Sequence, residues 1–171
     1  MAICLYVTGC CLGLYLVLLP VVGSTLREQP ADMASTGVLV VEDFAPFSQF
    51  IRATLADRPE VQVIGEVADG LEAVQKAELL EPELVILDVG LPTLSGIEAA
   101  RQIRKLAPKS KIIFLSQETS CEVVQEAFHL GAWGYVVKTN AAFDLLPAVD
   151  AALQGRYFLS AGLSIWDAEK Q

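Results

Sequence analysis

Positive charge is scarce in this sequence. Twelve Lys and Arg stand against 21 Asp and Glu, giving a formal charge of −9, and there is a single histidine, His129. Such a chain is a poor binder of DNA or RNA, whose phosphates demand clustered Lys and Arg, so no nucleic-acid partner is expected. Cysteine is scarce too. Cys4, Cys10 and Cys11 crowd one apolar run and Cys121 stands apart, so neither a disulfide framework nor a metal-ligand spacing is present. That usage suits a reducing cytosol, and a cytoplasmic location is the expectation. Internal repeats and low-complexity linkers are also missing, and 171 residues suffice for one domain with a real core.

Charge is absent altogether before Arg27. From Ile3 to Val22 the only plainly polar residue is Thr8, and the run is long enough to cross a bilayer as a helix. It lacks the leading Lys or Arg of a secretory signal. Val7-Thr8-Gly9-Cys10 is similar to a lipoprotein cleavage box, but too few apolar residues precede it for a normal leader. Residues 1–36 are therefore set apart as an apolar N-terminal segment with two readings, in this order. Either the start codon is assigned too early and Met33 is the natural start, or residues 3–22 anchor the chain in a membrane with Arg27 on the cytoplasmic flank. Export ranks last.

After Gly37 strands and helices alternate. Apolar, β-branched runs at Val38–Val41, Val61–Val67, Leu84–Leu87, Lys111–Leu115 and Tyr135–Val137 predict strands, and two of them lack any polar alternation, as strands covered on both faces do. Helical spacing groups Phe47, Phe50, Ile51 and Leu55 on one face, as it does Leu71, Val74 and Leu79, and Ile97, Ile103 and Leu106. Asp69 and Ser95 are candidate N-caps and Gly131 a candidate helix stop. A last helix, about Phe143 to Gln154, accommodates Pro147 only within its first turn. This order implies right-handed βαβ units and a doubly wound, five-stranded parallel sheet in an α/β domain over residues 37–155, followed by a short tail, residues 156–171.

In such a sheet functional groups gather at the carboxyl edge. The strands end there in Glu42 and Asp43, in Asp88, in Ser116 and in Lys138. Three carboxylates held together repel one another, and burial raises their pKa values unless a cation intervenes. Mg²⁺, a hard cation with oxygen ligands, resolves the conflict. One carboxylate can then act as a nucleophile towards phosphorus, while the cation, an ammonium and a hydroxyl absorb the phosphoryl charge.

Glu42-Asp43, the run Asp88-Val89-Gly90-Leu91-Pro92 through Gly96, Ser116, and Gly131 through Lys138 together resemble the receiver domain of bacterial response regulators. The resemblance covers about Gly37 to Gly155 and implies a flavodoxin-like (βα)5 fold. It implies that Asp88 is the phosphoacceptor for a sensor histidine kinase. Glu42, Asp43, Asp88 and the backbone carbonyl of Gly90 would hold Mg²⁺, and Lys138 would pair with Asp88. Ser116 would move to the new phosphoryl group, and Tyr135 would relay that movement to the face of the fourth helix, fifth strand and fifth helix. Pro92 and Gly96 would shape the loop beyond Asp88. Thr139 stands where many relatives carry proline, which leaves the loop after Lys138 open. Gly155-Arg156-Tyr157-Phe158-Leu159-Ser160 is similar to the join between receiver and DNA-binding domain in the nitrate-response (LuxR-type) class. Ala161–Gln171 is too short for that second domain, so output is expected through an unidentified protein partner or a self-dimer.

Simpler readings apply elsewhere. His129 lacks acid or metal partners in the sequence and reads as a surface or partly buried residue. Cys121 reads as a small residue at a helix start, and Trp133 as packing or partner contact. Arg101, Arg104, Lys105, Lys109 and Lys111 read as a solvated helix face. Among rival functions, an Asp-nucleophile phosphatase of the haloacid dehalogenase type would place a second Asp where Gly90 stands. A flavodoxin would need a Gly/Ser/Thr-rich phosphate loop where Glu42 and Asp43 would repel the flavin phosphate. An unphosphorylated pseudo-receiver would usually have lost an acidic residue or the lysine. The chain is therefore not expected to be an enzyme beyond self-catalysed transfer onto its own Asp88. An unphosphorylated pseudo-receiver binding module or a phosphate sink is the alternative.

Overall fold

The computed structural model describes residues 35–163. The apolar run 3–22, Arg27 and Met33 lie outside the described residues, as does the end of the tail. Within them the chain forms β1 (Thr36–Val41), α1 (Ala45–Leu55), β2 (Val61–Val67), α2 (Gly70–Leu80), β3 (Leu84–Asp88) and α3 (Gly96–Leu106). It continues through β4 (Lys111–Ser116), α4 (Cys121–His129), β5 (Gly134–Val137), α5 (Ala141–Leu153) and a short β6 (Phe158–Leu159). All strands are parallel, in the order β2-β1-β3-β4-β5-β6. The five expected strands form the doubly wound sheet. A sixth strand, in the segment read as tail, pairs with β5 through Gly134–Phe158 and Tyr135–Leu159.

The unbroken apolar strands are divided by the period-two geometry of β structure. Val38, Val40, Leu84, Ile86, Ile113, Leu115 and Val136 face α1 and α5, where Ile51, Leu55, Leu145, Ala148 and Val149 meet them. Leu39, Val41, Val85, Leu87, Ile112, Phe114 and Tyr135 face α2, α3 and α4. Every residue of β3 is buried. Each fully buried Val, Leu or Ile contributes about 1.5–3 kcal/mol relative to exposure, so β3 is the structural spine and its last residue, Asp88, is held by it.

Helix ends follow the expected chemistry. The Asp69 carboxylate accepts from the amides of Leu71 and Glu72, and Ser95 Oγ accepts from Glu98 N. Gly131, at φ +82°, ends the turn after α4 in the left-handed region that glycine enters without steric cost.

Several helix expectations need correction. Leu71 and Leu79 are 47% and 75% exposed and Leu106 is 45% exposed. The buried surfaces of α2 and α3 are instead built from Ala73, Val74, Ala77, Ala99, Ala100 and Ile103. Small side chains let these two helices lie close to the sheet and to each other, which leaves no room for leucine on the inner face. Pro147 is not in the first turn of α5, because a 3₁₀ turn at Lys138–Asn140 leads directly into a helix starting at Ala141. The proline sits on the solvent side, where water can satisfy the carbonyl of Phe143 that its missing N–H leaves unpaired. No peptide among the described residues is cis, so the Lys138–Thr139 step is an ordinary trans turn. The basic residues near α3 do not all lie on a solvated face. Arg101 bridges Glu98 and Glu126, and Lys111 Nζ donates to the Ala152 carbonyl at the end of α5.

Two glycines fix how closely the loop after β3 can approach the sheet. A Cβ on Gly96 would be driven into the carbonyl oxygen of Asp88, and one on Gly70 into that of Leu94. We expect Gly96→Ala to cost on the order of 1–3 kcal/mol, because the obstructing atoms are backbone and cannot turn aside. Urea denaturation of the two proteins measures it; an unchanged midpoint would refute this reading of the loop.

Candidate functional site

The strand order reverses at β1 and β3, and there the carboxyl ends of neighbouring strands open a crevice. Glu42 and Asp43 follow β1, Asp88 ends β3, Ser116 ends β4 and Lys138 follows β5. The structure thus brings the candidate residues from four strands to one edge. Asp43, Asp88, Ser116 and Lys138 line, with Phe44, Phe47, Gly90, Glu118 and Val123, a cleft of about 620 Å³, and the buried Glu42 is not part of its lining.

Asp88 and Glu42 are 5% and 3% exposed, while Asp43 is open to solvent. One oxygen from each of the three carboxylates lies within 4.8 Å of the others. Lys138 Nζ donates to Asp88 Oδ2 at 2.7 Å and to Glu42 Oε1 at 2.8 Å. The sequence pointed to the first of these contacts and missed the second. Burial pushes the Glu42 carboxyl up, against the lowering effect of the Lys138 ammonium. Burial alone would lower the Lys138 pKa, but its hydrogen bonds to Asp88 and Glu42 outweigh that and raise it. The ammonium is therefore a fixed positive charge in the site.

One ammonium does not balance three carboxylates. Glu42 Oε2 is buried without a hydrogen-bond partner, although it lies 2.8 Å from Lys138 Nζ. A cluster of three carboxylate oxygens with a single ammonium beside it fits a hard divalent cation such as Mg²⁺. The amide of Gly90 donates to Asp88 Oδ1 at 3.1 Å, which orients the carboxylate from the loop side.

Ser116 Oγ accepts from the amide of Glu118 at 3.0 Å. The Tyr135 side chain is fully buried and its phenol donates to the Glu118 carbonyl at 2.8 Å. Burial raises the Tyr135 pKa, and a hydrogen bond with the Ser116 hydroxyl works in the opposite direction. The Ser116 and Tyr135 hydroxyls therefore form one connected group around Glu118, a residue that sequence reasoning missed. Its importance lies in its backbone, which leaves no trace in residue type. Also missed was Phe47, whose ring lies under the Lys138 ammonium with 5.0 Å from centroid to Nζ. His129 is exposed, and Trp133 stacks on Tyr157 at 5.1 Å, away from the site.

The comparisons with known proteins agree with this geometry. Residues 38–150 match the response regulator receiver domain. The chain is 40% identical over 121 residues to the transcriptional regulatory protein PdtaR of Mycobacterium tuberculosis, covering 68% of this chain and 56% of that protein. It is 29% identical over 138 residues to the nitrate/nitrite response regulator NarL of Escherichia coli, covering 81% of this chain and 62% of that one. It thus spans less than two thirds of either regulator. Among solved structures, a two-component response regulator of the LuxR family from Aurantimonas superposes with a TM-score of 0.71 at 31% identity, over 74% of this chain and 91% of that one. This chain belongs to the response regulator receiver domain family of two-component systems.

Proposed function

We propose that Asp88 accepts a phosphoryl group from the phosphohistidine of a sensor histidine kinase, and that the protein signals through protein contacts. The observation that carries this reading is the placement of a buried carboxylate, held by Lys138 Nζ at 2.7 Å, at the base of an open cleft. An Asp88 carboxylate oxygen attacks phosphorus, the P–N bond to histidine breaks, and its electron pair returns to the imidazole. Glu42, Asp43 and Asp88, with the Gly90 carbonyl as a further ligand, would hold Mg²⁺, which when bound neutralises charge on the phosphoryl oxygens. Lys138, already aimed at Asp88, supplies a fixed cation to the same oxygens without reorganisation.

The Ser116 hydroxyl, which accepts from the Glu118 amide, would turn towards a phosphoryl oxygen, while the Tyr135 phenol donates to the carbonyl of the same Glu118. This supports a switch in which Ser116 and Tyr135 re-pack the face formed by α4, β5 and α5. Phosphorylation biases that equilibrium only by the difference in affinity between its two states. The site is proposed to be self-catalytic towards Asp88 and not to turn over other substrates. Among the described residues no helix is long and apolar enough to cross a membrane.

Three outcomes follow. With Mg²⁺ and acetyl phosphate or a phosphohistidine donor, the protein takes up one phosphoryl group, visible as a mass increase, and Asp88→Asn takes up none; undiminished labelling of that variant would place the chemistry elsewhere. Asp43→Ala weakens Mg²⁺ binding by calorimetry and slows phosphorylation together, since few protein ligands remain; unaltered Mg²⁺ affinity would remove Asp43 from the metal seat. Beryllofluoride, a mimic of the phosphoryl group, changes either the sedimentation of the protein or the set of proteins it captures. Identical behaviour with and without it would favour a phosphate sink.

A further inference from the structure

We propose that Phe47 is a positioning residue for phosphoryl transfer: its ring holds the Lys138 ammonium beside Asp88 through a cation–π contact. The proposal rests on Asp88 being the phosphoacceptor.

An ammonium has three N–H donors, and the carboxylates of Asp88 and Glu42 take two at Lys138. The Phe47 ring centroid lies 5.0 Å from Nζ, within the reach of about 6 Å over which an aromatic face attracts a cation. Such contacts strengthen where water is excluded, and the Lys138 side chain is only 11% exposed. Phe47 is itself fixed. It occupies the first turn of α1, its amide donates to the Phe44 carbonyl at 2.8 Å, and Phe50 packs against its ring at 5.3 Å. It also lines the cleft that opens over Asp88.

A lysine has four rotatable bonds and loses much rotamer freedom when held in one geometry. A rigid ring behind the ammonium bears that cost during folding rather than at the moment of transfer. It also shuts water away from the charge that must meet the phosphoryl oxygens, where a preorganised cation acts most strongly. A merely apolar Phe47 would fill the same space without this effect, and the electrostatics of the ring separates the two roles.

The test replaces Phe47 in the full-length protein by mono-, di- and trifluorinated phenylalanine, which keep the shape of the ring while draining its negative face. Phosphorylation rates with acetyl phosphate at saturating Mg²⁺ should fall stepwise, by roughly three- to tenfold at trifluorophenylalanine. Phe47→Leu should be about as slow, and Phe47→Tyr close to the unaltered protein. Equal rates across the fluorinated series, with Phe47→Leu alone slow, would mean packing and overturn the proposal. A second readout needs no phosphorylation. The ε-methylene protons of Lys138 should resonate upfield through the ring current of Phe47 and move back in Phe47→Leu; normal shifts in the unaltered protein would also overturn it. Failure of the underlying reading looks different, because uptake that survives Asp88→Asn discards the acceptor while the upfield shift persists.

Discussion

Two buried carboxylates share one ammonium, and the arrangement of the site follows from that sharing. Asp88 and Glu42 come from different strands, and without Lys138 between them their repulsion would oppose the alignment of β1 with β3. Truncating the lysine would leave two buried charges uncompensated, which is the costly way to break a buried ion pair. The lysine must in turn approach from β5, so the order β1-β3-β4-β5 and the trans turn after Val137 serve this contact. The fold is a device for bringing charges of opposite sign to one edge from distant points in the sequence.

The same edge stays unbalanced. Three carboxylates stand there against one ammonium, a donor set that fits further positive charge. Such an imbalance is what a hard cation would relieve under the proposed function. Burial and openness are divided between the residues accordingly. Glu42 and Asp88 are buried, whereas Asp43 and the cleft face solvent.

The contacts that tie the edge to the rest of the domain run through β5 and its neighbours. Tyr135 is bonded by its phenol to Glu118 and by its carbonyl to the amide of Ser160, just beyond β6. Ser160 Oγ in turn accepts from the Val137 amide, one residue before Lys138, and donates to Asp144 on α5. The strand that carries Tyr135 and leads into Lys138 is therefore clamped on both sides, by β4 and by the segment after α5. Any displacement of Tyr135 would have to be accommodated by these partners.

Residue types alone determined the alternation of strands and helices, because unbroken β-branched runs have no alternative to a sheet covered on both faces. They also determined the candidate residues, since acid, hydroxyl and lysine side chains at strand ends are conspicuous against apolar strands. The caps at Asp69 and Ser95 and the stop at Gly131 were legible for the same reason: each acts on backbone within a few residues of itself. What the sequence left undecided depends on distant neighbours. Leu71, Leu79 and Leu106 suited a buried face by hydropathy, yet the close approach of α2 and α3 gave the inner surface to alanine. Pro147 suited a first turn, yet the turn at Lys138–Asn140 started α5 earlier and left the proline exposed. β6 exists only because β5 offers an unpaired edge to a two-residue segment too short to announce itself. The bridge from Lys138 to Glu42, the backbone of Glu118 and the ring of Phe47 beneath the ammonium belong to this second class. Each is a relation between residues that only the closed sheet brings within a few ångströms.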